Sequence, residues 1–431
     1  MSVRKLLSLS LALALVYSIS FPARAELLKN FKMDGSIETR SFGINNESDR
    51  NSNADDYRSE TRTRLMLGGS FDLLDDVHSR IQLLKNNSVF GSNGTGQGES
   101  LNTVQDNIDV VNAYVKIDKI FNHVDLTAGR QYYGRSDDLV IYYGANNDDI
   151  LSVQSLDAFR ADADIAGVAK VQGIAGKIAD NGVNSSDPLV NSDTDVIGAE
   201  VNTDKVIPRG NLAAYFYDRE IKGPGVKGND NLEVYGLRAA GDLVLGLSYS
   251  AEGILNGGRN STLTTPGNNK GYDGNAYLLA LKFNKDFTDM PVRAGAEYGR
   301  GTDNFQAISA GKRFGIIWGE QTTVGPATSM PQTTGLADLK VADLSVGVNP
   351  IKKLGVDLSW YRFMADGRST LVGNRTSIGT EYDLVLSWKH SENVALEVNA
   401  ADFHVGDALQ NAAPTGTSPI TRLGADVKIK F

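Results

Sequence analysis

The stretch Glu381-Tyr382-Asp383-Leu384-Val385-Leu386-Ser387-Trp388-Lys389 decides the fold. Tyr382, Leu384, Leu386 and Trp388 alternate with Glu381, Asp383, Ser387 and Lys389. Successive side chains of a strand point to opposite faces, so this segment reads as a strand whose two faces meet different surroundings. The same pattern recurs along the chain. From Arg58 to Leu67, Glu60, Arg62 and Arg64 alternate with Thr61, Thr63, Leu65 and Leu67, and Val292, Ala294, Ala296 and Tyr298 alternate with Arg293, Gly295, Glu297 and Gly299. The last ten residues set Leu423, Ala425, Val427, Ile429 and Phe431 against Arg422, Asp426, Lys428 and Lys430.

The connections alternate too. Long stretches rich in Asn, Asp, Gly, Ser and Thr lie near 43–57, 90–106, 132–154, 180–193, 223–230, 254–273, 302–337, 366–378 and 405–419. Short turns fall between them, near 72–77, 118–123, 165–167, 204–209, 240–242, 286–291, 349–353 and 390–393. This layout predicts an all-β, transmembrane, antiparallel up-and-down β-barrel of about 18 strands, with long extracellular loops and short periplasmic turns. A soluble sandwich would not alternate its loop lengths, and a propeller or solenoid would show a sequence repeat, which is absent.

Composition fits. The 431 residues include 45 Gly, 11 Pro, 4 His and no Cys, at a formal net charge of −9. Lack of cysteine excludes disulfide scaffolds, thiolate metal sites and cysteine nucleophiles. His78, His123, His390 and His404 stand on separate segments without a Ser/His/Asp context, so no enzyme, cofactor or metal site is expected. No basic cluster points to nucleic acid.

Residues 1–25 read as a signal peptide: Arg4 and Lys5, then an apolar run from Leu6 to Phe21, then Ala23-Arg24-Ala25 as a small-x-small cleavage site. The barrel is expected to occupy 26–431, since no window of about 18 apolar residues follows Glu26.

Lipid rejects charge: Arg or Lys on the lipid face at mid-membrane costs roughly 2–4 kcal/mol, so the charged face must look inward. Parity places Arg40, Arg62, Arg64, Arg80, Arg160, Arg219, Arg238, Arg293 and Lys389 on that face, with Tyr114 and Tyr215 and the acids Asp34, Glu38, Glu60, Glu200, Glu297, Glu381, Asp383 and Glu397. A barrel of this size is expected to hold an aqueous channel. Forked guanidinium donors lining it suit carboxylates of a passing anion. The competing reading is a wall neutralised by cross-strand ion pairs; Arg62 and Arg64 are expected to escape it, because they outnumber Glu60. Trp388, Trp360, Tyr298, Tyr249 and Phe431 suit interfacial girdles. The acids Glu47, Asp49, Asp55, Asp56, Asp137, Asp138, Asp148 and Asp149 are expected in solvated loops facing lipopolysaccharide, without the ordered spacing of a calcium loop.

Leu126-Thr127-Ala128-Gly129-Arg130-Gln131-Tyr132-Tyr133-Gly134 and Gly379-Thr380-Glu381-Tyr382-Asp383-Leu384 resemble motifs of the alginate export family of outer-membrane porins. The resemblance implies a monomeric barrel of about 18 strands and a positively lined pore for outward diffusion of an acidic polysaccharide, with Arg130 as a pore arginine by motif position. Arg130 shares the register of the lipid-facing Val124, Leu126 and Ala128, so a bulge must turn it inward or it lies above the membrane. The leading function is an outer-membrane channel for hydrophilic, anionic solutes such as acidic oligo- or polysaccharide, in contact with outer-membrane lipid and lipopolysaccharide. The alternative is a barrel sheath enclosing a periplasmic electron-transfer or secretion partner.

Overall fold

The computed structural model describes residues 29–47, 56–87, 108–179, 193–222, 230–260, 271–287, 290–320, 335–367, 375–410 and 418–431. The expected signal peptide and the loop acids Asp49 and Asp55 lie outside these residues.

Eighteen strands form one antiparallel sheet. In chain order they are β1 Lys29–Asn45, β2 Arg58–Leu74, β3 Val77–Asn87, β4 Asp109–Ile120, β5 Val124–Gln131, β6 Leu156–Ile165, β7 Ala169–Ala179, β8 Asp193–Thr203 and β9 Gly210–Lys222. The second half comprises β10 Asp230–Asp242, β11 Leu247–Arg259, β12 Asn275–Phe287, β13 Met290–Gly301, β14 Leu339–Ile351, β15 Leu354–Met364, β16 Ser377–Lys389, β17 Val394–Val405 and β18 Ile420–Lys430. Each strand pairs with its sequence neighbours. The sheet closes where β18 meets β1, in register from Ser36 opposite Lys430 to Asn45 opposite Thr421. At that seam Gly35 and Phe431 exchange backbone hydrogen bonds of 2.8 and 3.0 Å. Closure leaves no unpaired edge, as a bilayer demands.

Loop lengths alternate as the sequence predicts, with one displaced turn. Residues 240–242 belong to β10, and the chain reverses after them at 243–246. Gly246 makes this turn possible: its φ is +83°, and a Cβ there would sit 2.3 Å from the Asn284 carbonyl oxygen.

The outer surface is apolar. Phe159, Ile197, Leu279, Leu344, Val346, Leu358 and Leu423 are each at least half exposed on it, and Tyr298, Tyr382 and Phe431 stand out beside them. The inner face is divided along the barrel axis. Toward the long-loop end its inward side chains are apolar and buried, among them Phe42, Ile44, Val196, Leu232, Val341, Phe363 and Phe403. Toward the short-turn end they are polar. A water-filled interior throughout, the expectation from strand number, is therefore corrected for the extracellular half, where a hydrophobic core fills the space.

Candidate functional site

Two long connections supply the missing half of that core. The segment between β5 and β6 contributes Tyr133, Leu139, Val140, Ile141 and Tyr143, and the one after β13 contributes Phe305, Phe314, Ile316, Ile317 and Trp318. All are buried, and the indole of Trp318 stacks on Phe363 and Phe403 with centroids 5.3 and 6.1 Å apart. The segments are also joined to each other. A parallel bridge links Ile141 to Ser309, the Tyr142 amide donates to the Ser309 carbonyl at 2.6 Å, and the Asp149 amide donates to the Glu320 carbonyl at 2.9 Å. They enter the barrel as one body.

The barrel wall holds that body with its inward charges. The Arg40 guanidinium forks onto Asp426 across the seam (Nη2 to Oδ2 2.8 Å), and donates to the Asp148 carbonyl at 2.8 Å and the Asn147 side chain at 2.6 Å. Glu320 lies 3.6 Å from the same guanidinium. Arg64 donates to the carbonyls of Asn146 at 3.0 Å and Leu151 at 3.1 Å and pairs with Glu38 at 2.6 Å. Three strands away from Arg40 around the wall, Glu381 accepts the amides of Ile317 (2.6 Å) and Trp318 (3.0 Å), and Asp383 accepts that of Ile316 (3.1 Å). Those three amides belong to a single π-helical turn, Ile316–Glu320, whose first donors lack partners inside the turn. Arg238 reaches Asp138 at 2.7 Å and Glu200 at 3.3 Å, and Arg219 reaches Asp230 and the Tyr272 hydroxyl.

Most of the inward cations are therefore engaged. Arg62 pairs with Glu60 and Arg64 with Glu38, so the expected charge excess at this pair is corrected. Same-strand counting missed Glu38, which the register sets directly opposite Arg64. Arg80 pairs with Asp34 at 2.7 Å, Arg160 with Asp162 at 2.8 Å and Arg293 with Asp357 at 2.8 Å. Arg130 does not join them. It stands on the outer face at the loop end of β5, bidentate to Asp157 and on the same side as the exposed Phe159. Gly129 has a φ of +124°, yet the pairing runs on through it and Arg130 stays outward. The expectation that loop acids are solvated is likewise corrected: Asp148 and Asp149 are buried inside the barrel, with Asp148 accepting from Ser152 and Arg313.

What remains open is the inner wall of the short-turn half. Several of its acids are occupied, Asp118 and Asp125 by Lys116 at 2.7 and 3.0 Å, and Glu38 by Lys428 at 3.1 Å as well as by Arg64, whereas Glu397 accepts from Asn399 at 3.2 Å. By register, Lys32, Lys170, Lys282, Lys389 and Lys430 share this wall and form no ion pair among the described residues. Lys389, Lys428 and Lys430 line one cavity reaching up to Arg40. The tyrosines divide likewise: Tyr114 sits in the polar half, whereas Tyr215 is buried in the apolar half and donates to Glu252 at 2.6 Å. No group of three or more metal-ligating side chains occurs among the described residues.

A lipid-facing closed barrel with loops folded into a charged interior is the architecture of an outer-membrane porin. The sequence profile of the alginate export family matches residues 39–420, and the chain belongs to that family. Three Pseudomonas aeruginosa structures share its fold. OccK8 (OprE) superposes with a TM-score of 0.58 at 12% identity, over 93% of this chain and 98% of that one. OprD gives 0.58 at 10% identity over 94% of each chain, and OccK2 (OpdF), solved with glucuronate, gives 0.55 at 9% over 94% and 98%. Among curated proteins no sequence matches. The protein is a porin-type channel of the bacterial outer membrane, where it contacts lipid and passes solutes.

Proposed function

We propose that this channel passes anionic hydrophilic solutes, with acidic oligo- or polysaccharide as the class and the periplasmic mouth as the point of entry, and that it carries out no catalysis. The observation that supports this is the set of unpaired lysines, Lys32, Lys170, Lys282, Lys389 and Lys430, on the inner wall of the short-turn half. A mobile ammonium in an aqueous vestibule attracts a carboxylate without holding it rigidly, as conduction needs. Arg40, Arg64 and Arg238, by contrast, hold the inward loops, and Arg62, Arg80, Arg160 and Arg293 are paired with acids of the wall. The glucuronate of the OccK2 complex is a sugar acid of the class proposed here. A sheath function is less well supported, because a partner threading the barrel must displace the packed Phe314 to Trp318 segment. Export through a signal peptide at 1–25 belongs to the same reading.

The test is reversal potential in planar bilayers under a salt gradient. The wild-type channel prefers chloride, and Lys389→Glu with Lys430→Glu reduces or inverts that preference. A cation-preferring wild type, or a double variant with unchanged selectivity, overturns the proposal.

A further inference from the structure

We propose that the outer face of β13–β17 carries a binding site for the phosphorylated headgroup and an acyl chain of lipid A. Cross-strand register sets the site out in rows. One outward row runs Tyr298, Ala342, Arg362, Thr380, His404, and the row above it pairs Arg300 with Lys340. Both rows adjoin long loops, so they lie at the outer-leaflet end of the barrel.

The cations of this patch outnumber their partners. Arg300 and Lys340 share one carboxylate, Asp366, at 2.5 and 3.0 Å. Arg362 donates to two neutral hydroxyls, Thr380 at 2.9 Å and Ser377 at 2.7 Å, and meets no carboxylate among the described residues. A guanidinium held by hydroxyls keeps its charge available to a phosphate. The tilted pair Tyr277 and Tyr298, 6.0 Å between centroids, flanks the cations.

An independent observation lies just below. An open, mainly apolar hollow on the lipid face is lined by Leu344, Val346, Leu358, Trp360, Leu384 and Ala400, with Asp402, which lies 3.2 Å from His404, at its edge. Leu344 opposes Trp360 and Val346 opposes Leu358, which places the hollow directly beneath Lys340 and Arg362 on the same strands. Four residues along β14 separate Lys340 from Leu344, roughly 13 Å of strand. Lipid A has this arrangement, a phosphorylated sugar immediately above its acyl chains. The opposite arc of the outer face is unlike it: Asp157, Asp195, Asp218, Glu220 and Glu233 there exceed Arg130, Lys177 and Lys222. Charge complementarity thus selects one side of the barrel.

Native mass spectrometry of the full chain in detergent, titrated with bisphosphorylated lipid A, tests this. The wild type binds it, and the triple variant Arg300→Gln, Lys340→Gln, Arg362→Gln binds about tenfold more weakly or worse, as expected for cations meeting an anionic lipid surface. The variant Arg130→Gln, Lys177→Gln, Lys222→Gln removes the same charge from the other arc and binds as wild type does. Dephosphorylated lipid A binds the wild type as weakly as the triple variant binds the intact lipid. Arg362→Gln alone, which breaks no ion pair, carries a smaller loss in the same direction if the triple variant does not fold. Unchanged binding by a folded Arg300, Lys340 or Arg362 variant, or equal loss on both arcs, overturns the proposal.

Discussion

Replacing Glu381 by alanine removes the carboxylate that holds the inward turn Ile316–Glu320 against the barrel wall. Two of its contacts are to backbone amides, Ile317 at 2.6 Å and Trp318 at 3.0 Å, and Glu381 itself is fully buried. A hydrogen bond to a charged group contributes about 1.5–3 kcal/mol net, because the undocked partners regain water. Two such bonds give about 3 kcal/mol at the lower bound, and each 1.4 kcal/mol is a tenfold change in an equilibrium. The docked-to-undocked ratio of this turn therefore falls by about a hundredfold or more. Asp383 still holds Ile316, and Trp318 still stacks on Phe363 and Phe403, so the barrel stays intact while the turn is released. Single-channel recording reads the difference: Glu381→Ala opens to a larger conductance far more often than wild type. Glu381→Gln, whose amide oxygen still accepts one N–H, falls between them. Heat-modifiable mobility on gels verifies that each barrel is folded. A folded Glu381→Ala channel with wild-type conductance and opening frequency refutes the reasoning, because it means the turn does not obstruct the path.

Burial pushes the carboxyl of Glu320, on the same inward segment, up to about 7 despite Arg40 nearby. A carboxyl whose docked pKa is raised stabilises docking below its ordinary value and loses that contribution as pH rises through about 7. Conductance should therefore increase between mildly acidic and mildly alkaline solution, and Glu320→Gln should flatten the profile. Arg40→Leu leaves Asp426 and Glu320 without their guanidinium, a loss of about 3–5 kcal/mol when one partner of a buried pair is removed. Its unfolding temperature in detergent should drop well below that of the wild type. Arg130→Ala, on the outer face, should leave conductance and ion selectivity unchanged in the bilayer; a selectivity shift would return Arg130 to the pore.

Strand count, strand order and the direction of most side chains were legible because membrane strands obey a two-residue rule that lipid enforces on every one of them. Parity alone put Arg40, Arg64, Glu381 and Asp383 inside. Their loop partners were not legible, since these are backbone groups 63 or more positions away, from the Trp318 amide bound by Glu381 across 63 residues to the Asn146 carbonyl bound by Arg64 across 82. A signal for the packed interior existed nonetheless. Phe42 and Ile44 continue the inward register of Glu38 and Arg40, and the loops hold two apolar runs, Leu139-Val140-Ile141-Tyr142-Tyr143 and Phe314-Gly315-Ile316-Ile317-Trp318. Such runs do not belong in solvated connections; together with apolar inward positions they mark a buried contact. Arg130 failed for another reason: a motif carries residue order, whereas facing depends on register, and its register was outward from the start.

The seam between β1 and β18 has a consequence for how the molecule comes into being. Arg40 and Asp426, which meet there, are separated by 386 positions. Contacts this distant carry the largest loop-closure cost and form late. Until β18 arrives, the growing sheet exposes two sticky margins able to pair with any passing strand. The guanidinium that clasps Asp426 also clasps Asn147 and Asp148, so the ion pair that closes the sheet and the contacts that seat the inward segment share one side chain. Assembly and sealing are thereby tied together: the step that completes the cylinder is also the one that lets its interior set.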